Sequence, residues 1–229
     1  YQHWADAGGP EWNNNILNDN KSDYFEGEVI PHVFVYKASN SVPLVNGQTY
    51  CFKIVYNYYQ QNTNAGGFAF ITTFNISRTP GPNDATNPYV APTIDNTFTG
   101  TGNLGAFYTV DANIISASAP VTVGTGTKDQ EVIVQFIYTG TTTTNGIAEI
   151  YFGLYVANPG QVPNQGSGTT TGASAWTGGS LQTTIETGTF NNGTSTCTSF
   201  GGATSIQLSP SAIIKGEISG IKYNDLNGN

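Results

Sequence analysis

Methionine is absent from this chain of 229 residues, histidine and cysteine each occur twice, and arginine occurs once, at Arg78. Charge is scarce as well. Only 10% of residues are Asp, Glu, Lys or Arg, and the formal net charge is −8. A typical soluble domain carries about 25%. So few cations argue against nucleic-acid binding, which needs clustered Lys and Arg to neutralise phosphates. The acidity disfavours an anionic membrane surface. No stretch approaches the roughly 20 apolar residues of a membrane span. Two histidines, His3 and His32, with no Gly-x-Ser-x-Gly turn beside either, provide no Ser-His-Asp set. Glu131, Glu149 and Glu186 fall on strand positions that read as outward-facing, so no cleft of paired acids is expected. These absences predict a protein that is not an enzyme.

What is present is β-forming and hydroxyl-rich. The polar surface has to be built from Thr, Ser, Asn, Gln and Gly, a mix common in secreted β-proteins. Apolar residues alternate along 28–37, where Ile30, His32, Phe34 and Tyr36 share a face. They alternate along 49–59, with Tyr50, Phe52, Ile54, Tyr56 and Tyr58 on one side, and along 67–76, with Phe68, Phe70, Thr72, Phe74 and Ile76. Lys128–Thr139 and Ile147–Ala157 read as a hairpin, and shorter strands are expected at 105–110, 120–123, 181–187, 204–208 and 212–223. No period of 3.6 is found. The reading is an all-β, antiparallel β-sandwich, jelly-roll or immunoglobulin-like, of about eight to ten strands. Residues 1–27 and 158–179 read as loop, and 77–104 as a long surface excursion with room for one short strand. Residues 1–211 form the expected sandwich, and 212–229 a terminal strand leading into a following module.

Cys51 and Cys197 lie 146 positions apart and are candidates for one disulfide closing most of the chain. Asn20, Asn75 and Asn192 head Asn-x-Ser/Thr sequons. Asp225, Asn227 and Asn229 place side-chain oxygens at alternate positions, as the opening of a Ca²⁺ loop does, but they stop short of the six to eight ligands Ca²⁺ takes. A longer modular protein is expected to continue this loop, and Tyr1 reads as a mature N-terminus. Asp19, Asp23, Glu26 and Glu28 are the second candidate cation cluster. His32 reads as a sheet histidine and His3 as part of a mobile end. Trp12 and Trp176, both read as loop residues, are the candidate ligand aromatics.

Three stretches carry a resemblance. Trp12 to Pro31 contains Tyr24-Phe25-Glu26-Gly27-Glu28-Val29-Ile30-Pro31. Tyr151 to Thr187 contains Trp176-Thr177-Gly178-Gly179-Ser180-Leu181, followed by Gln182 where a histidine is common. Ile218 to Asn229 opens like a Ca²⁺-binding repeat. Together they resemble an N-terminal domain of large secreted bacterial surface proteins followed by the start of an Sdr-type B repeat. The resemblance implies an extracellular sandwich followed by a repeat array.

The expected role is that of an extracellular or cell-surface structural module: part of a surface layer, sheath or filament, or a stalk domain. Its partners would be its own copies or neighbouring modules. Assembly is expected by strand addition through Ala212–Tyr223, with Ile214, Gly216, Ile218 and Gly220 on the slim face. The alternative is an adhesin or carbohydrate-binding module using loop aromatics.

Overall fold

Alternating apolar residues can leave water only if two pleated sheets close face to face, and that is the arrangement found. The computed structural model describes residues 1–7, 11–38, 43–72, 93–94, 107–141, 144–163 and 168–215. In chain order the strands are β1 (Gln2–Ala5), β2 (Glu11–Asn13), β3 (Tyr24–Phe25), β4 (Val29–Lys37), β5 (Thr49–Gln60), β6 (Ala65–Gly66), β7 (Phe68–Thr72) and β8 (Thr93–Ile94). Then follow β9 (Tyr108–Val110), β10 (Ala112–Ala117), β11 (Val121–Val123), β12 (Thr127–Tyr138), β13 (Ile147–Val156), β14 (Leu181–Asn191), β15 (Thr196–Leu208) and β16 (Ile213–Ile214). Two short 3-10 turns, Ala173–Ala175 and Pro210–Ala212, are the helical content of the described residues. Eight of these strands have five residues or more, which is the expected framework. The other eight among the described residues, of two to four residues each, take the total past eight to ten.

The first sheet runs β2-β1-β4-β13-β9-β8, with β7 also on β13. The second runs β10-β12-β5-β14-β15, with β11 on β12 and β6 on β5. Both are antiparallel throughout. Consecutive strands β4 and β5 lie in different sheets, as do β12 and β13. Yet β4 pairs with β13 and β5 with β12, so the two ribbons interlock across the sandwich. Their inward residues Phe34, Phe52, Ile54, Val132, Val134, Phe136, Ile150, Phe152 and Leu154 are all buried. Rings meet directly there: Phe34 lies 4.8 Å from Phe52, and Phe136 5.4 Å from Tyr36 and 5.7 Å from Tyr50. Such pairs add about 0.5–1.5 kcal/mol each beyond area burial.

Several expectations need correction. Phe68 and Phe70 do not share a face. The β13–β7 register shifts between Leu154 and Val156, which sets Phe68 and Ile71 inward. Phe70 turns outward and stacks on Tyr155 at 4.7 Å. One extra residue in a ladder reverses the alternation beyond it. Residues 1–27 are not all loop, because they supply β1, β2 and β3. His3 is accordingly not at a mobile end. It sits opposite His32 in the β1–β4 ladder, 1% exposed. Phe74, Ile76 and most of 77–104 lie outside the described residues.

The chain beyond residue 211 begins inside the sandwich. Ala212 and Ile213 are buried in the core. Residues Ile213 and Ile214 pair in parallel with Tyr24 and Phe25, and Ile214 O accepts the Glu26 N–H at 3.0 Å. Gly216, Ile218 and Gly220 lie outside the described residues, so the assembly strand is represented by Ile214 alone.

Candidate functional site

The most distinctive construction is a ribbon bound to the second sheet by a covalent strap. Strands β14 and β15 form one long hairpin whose sequence, Thr-Gly-Thr-Phe then Thr-Cys-Thr-Ser-Phe-Gly-Gly, has almost no apolar alternation. Of β15's 13 residues only Ile206 and Leu208 are buried. Burial therefore holds the base of the hairpin and not its tip. Cys51 on β5 is bonded to Cys197 on β15, with Cα atoms 6.2 Å apart. Strand β14 lies between them, and Cys51 is paired with Gly188. The bond passes over that glycine. A Cβ at residue 188 would meet Cys197 Sγ at 2.5 Å, Phe200 Cε1 at 2.8 Å and Cys51 Sγ at 3.0 Å. Register shifts on either side of Thr187 turn the ribbon enough for the sulfurs to meet.

Next to the strap is a charge ladder. Lys53 Nζ lies 3.0 Å from Glu131 and 2.9 Å from Glu186, and 5.1 Å above the Phe200 ring. Burial works against the ammonium, but hydrogen bonds to Glu186 and Glu131 raise its pKa overall. Lys53 is thus held as a cation between two carboxylates. Glu131 and Glu186 face outward, as the sequence suggests. Glu149 also points away from the sandwich interior, yet it is only 3% exposed and accepts the Tyr151 hydroxyl at 2.6 Å. It belongs to a second apolar layer on the outer face of the first sheet, with Val33, Tyr108 and Tyr151 at its centre.

The acidic candidates do not converge. Glu26 Oε1 accepts the Ser174 N–H at 2.9 Å, and Glu28 Oε2 the Phe25 N–H at 2.9 Å. Asp23 donates its backbone N–H to Asp6 Oδ1 at 3.2 Å. The Glu26 and Glu28 carboxylates each cap a backbone N–H, and no group of three His, Cys, Asp or Glu among the described residues is arranged to hold a metal. Asp6 is the perturbed member: burial first, then the Asp23 charge, pushes it up to about 6. Sequence reading passed over it because its partner lies 17 positions away. Asp225, Asn227 and Asn229 lie outside the described residues.

The histidines form a buried polar seam between the sheets. His32 Nδ1 and the Tyr1 hydroxyl are 2.8 Å apart, and His3 Nε2 donates to Asn15 O at 2.8 Å. The His32 ring stacks on Phe152 at 5.3 Å, and its Nε2 has no hydrogen-bond partner among the described residues. Burial depresses both imidazoles, His3 to about 4. Both are neutral, and they serve packing.

The ligand aromatics are also accounted for. Trp176 is 5% exposed and part of the main core, so it offers no free ring face. Trp12 lies in β2, not a loop. It is half-buried, 5.4 Å from Trp4 and 5.8 Å from Tyr151. Two of the surface clefts are lined by described residues. One, about 600 Å³, is lined by Gln60, Gln61, Asn62, Gly126 and Thr127. The other, about 330 Å³, opens between Phe34, Tyr36, Leu44, Tyr50 and Thr187 with Lys37 at its rim. Neither lining contains a carboxylate or a histidine.

No protein-family model, no curated protein and no solved structure matches this chain. No helix among the described residues is long and apolar enough to cross a membrane, which leaves β-barrels unaddressed.

Proposed function

We propose that this chain is an extracellular structural module, a building part of a cell-surface layer, filament or stalk. The observation that carries the reading is the Cys51–Cys197 bond across Gly188. A disulfide of this kind persists in oxidising compartments, and here it holds in place a ribbon that burial does not hold. The surrounding skin, poor in charge and rich in hydroxyls and amides, supports the same reading. So do the Trp12–Pro31 and Trp176–Leu181 stretches that resemble secreted surface proteins. Ca²⁺ at Asp225, Asn227 and Asn229 belongs to this proposal, as do neighbouring modules as partners. Trp176 is buried and Trp12 half-buried, so the glycan-binding alternative loses its main surface.

Labelling intact producing cells with an antibody to the folded chain, together with a thiol count on the native protein, tests the reading. The expected result is label without lysis and no free thiol. Label only after lysis, or two reactive thiols, would sink it.

A further inference from the structure

The second sheet carries its charge in an unusual place. Lys53 on β5, Lys128, Asp129 and Glu131 on β12, and Glu186 on β14 all stand on inner strands. The outermost strand, β15, runs 13 residues with no charge and no proline. Sandwiches commonly guard an edge with just those residues, because unpaired N–H and C=O groups template another chain. Among the described residues, the one backbone pairing on the outer side of β15 is with Leu17, through a parallel bridge at Leu208.

The side chains suit the same contact. Within the ribbon, Thr184 and Ser205 hydroxyls bond across the ladder at 2.7 Å. Hydroxyls both donate and accept, so a strip of them is complementary to itself, and Thr–Ser pairs stabilise antiparallel ladders. Two copies of a molecule of net charge −8 repel in general. A neutral strip is where they approach at least cost. Ser199 and Gly202, with φ of 54° and 63°, mark where the strand is twisted. The straight run left free is Ala203–Ile206. The strap at Cys197 keeps the ribbon ordered before any partner arrives.

We propose that the outer edge of β15, centred on Ala203–Ile206, pairs antiparallel with the same edge of a second copy of this chain. The second sheets of the two molecules then become one continuous sheet about a twofold axis, the commonest symmetry of homodimers. The contact is short, so dimerisation is weak and favoured by crowding, as on a surface. This rests on the structural-module reading and names its partner.

Sedimentation velocity of the oxidised full chain over a wide concentration range tests it. The expected result is a monomer–dimer equilibrium weakened roughly tenfold or more by Thr204→Lys, a substitution at an exposed position of β15. Val121→Lys, exposed on the opposite edge of the same sheet, leaves the equilibrium unchanged. Amide exchange at Ala203–Ile206 slows as wild-type concentration rises. A wild-type chain that stays monomeric, or a dimer that tolerates Thr204→Lys, overturns the proposal. A monomer that still labels on intact cells overturns the edge contact alone. A dimer from a protein labelled only after lysis supports the edge and overturns the functional reading.

Discussion

Strands β5 and β12 and the ribbon β14–β15 are neighbours in one sheet but are held by different forces. Along β5 and β12, Phe52, Ile54, Val132, Val134 and Phe136 are each fully buried, and hydrophobic transfer keeps them in place. Along β15, Thr196 through Ser205 offer little apolar area, and a covalent bond keeps them in place. The difference lies in cooperativity. A ring deleted from the interlocked ribbons loosens both sheets, because β4 pairs with β13 in one sheet and β5 with β12 in the other. A broken strap releases one hairpin and leaves the base of that hairpin packed.

Truncating a core ring separates the two regimes most sharply. Phe52→Ala or Phe136→Ala leaves a cavity in the cluster of Phe34, Tyr36, Tyr50, Phe52 and Phe136 and is expected to cost roughly 3–5 kcal/mol. Urea unfolding reads this as a lowered midpoint at unchanged slope.

Removing the strap comes next. The double substitution Cys51→Ala with Cys197→Ala is expected to lower stability by roughly 2–5 kcal/mol, since the bond spans 146 positions. The location of the loss is the sharper readout. Amide exchange should accelerate from Phe190 to Ser205 while Val132–Phe136 stays protected. Uniform acceleration would show that ribbon and core unfold as one unit.

Acid should act on the core side through its buried histidines. His3 titrates near 4 when folded and near 6.5 when unfolded, so the unfolded chain binds the proton first. Stability is therefore complete above about pH 6.5 and is lost as pH falls through 4, by about 3 kcal/mol. His32, depressed for the same reason, adds to the loss. Asp6 works the other way. Its folded value near 6 exceeds the usual 3.8, so its contribution is present below 3.8 and lost as pH rises through 6. A pH series of denaturation midpoints should fall on acidification in wild type and fall less in His3→Gln. Trp4 and Trp12, side by side in β1 and β2, report the same event by fluorescence. The ribbon's Thr196–Leu208 has no titrating group and should keep its protection.

How much of this was legible in the sequence follows the same division. Tyr50, Phe52, Ile54 and Tyr56, or Ile150, Phe152 and Leu154, alternate cleanly, and the structure sets them inward as read. Alternation encodes burial, so strands stabilised by burial are visible. The tip of β14–β15 encodes none. Gly188, Gly201 and Gly202 look like loop until the bond between Cys51 and Cys197 explains the extended backbone. The cysteine pair itself was legible because the chain contains no other. β1 escaped because only four residues pair, and its inward members are a histidine and an alanine. Asp19, Asp23, Glu26 and Glu28 are close in sequence without forming a three-group cluster among the described residues, because spacing says nothing of which backbone N–H a carboxylate caps. Phe70 was misplaced because a bulge leaves no mark in an alternating run.

Gly188→Val attacks the strap without touching sulfur. A branched side chain there cannot coexist with Cys197 Sγ at 2.5 Å, so the ribbon must shift outward, at about 2 kcal/mol. The thiol count should show slower closure of the bond on refolding. Unchanged closure would mean that β14 does not run beneath the bond.

The smallest effect separates the charge ladder from both. Lys53 joins Glu131 on β12, Glu186 on β14 and Phe200 on β15, so it touches core strand and ribbon at once. If the ladder merely decorates the sheet, Lys53→Met costs about 1 kcal/mol and the loss shrinks in high salt. If it couples the two regions, the losses from Lys53→Met and from the cysteine double variant are not additive. The combined variant then loses less than the sum, because a ribbon already released no longer reaches Lys53 through Phe200. A combined loss equal to the sum would mean that the ladder and the strap act independently.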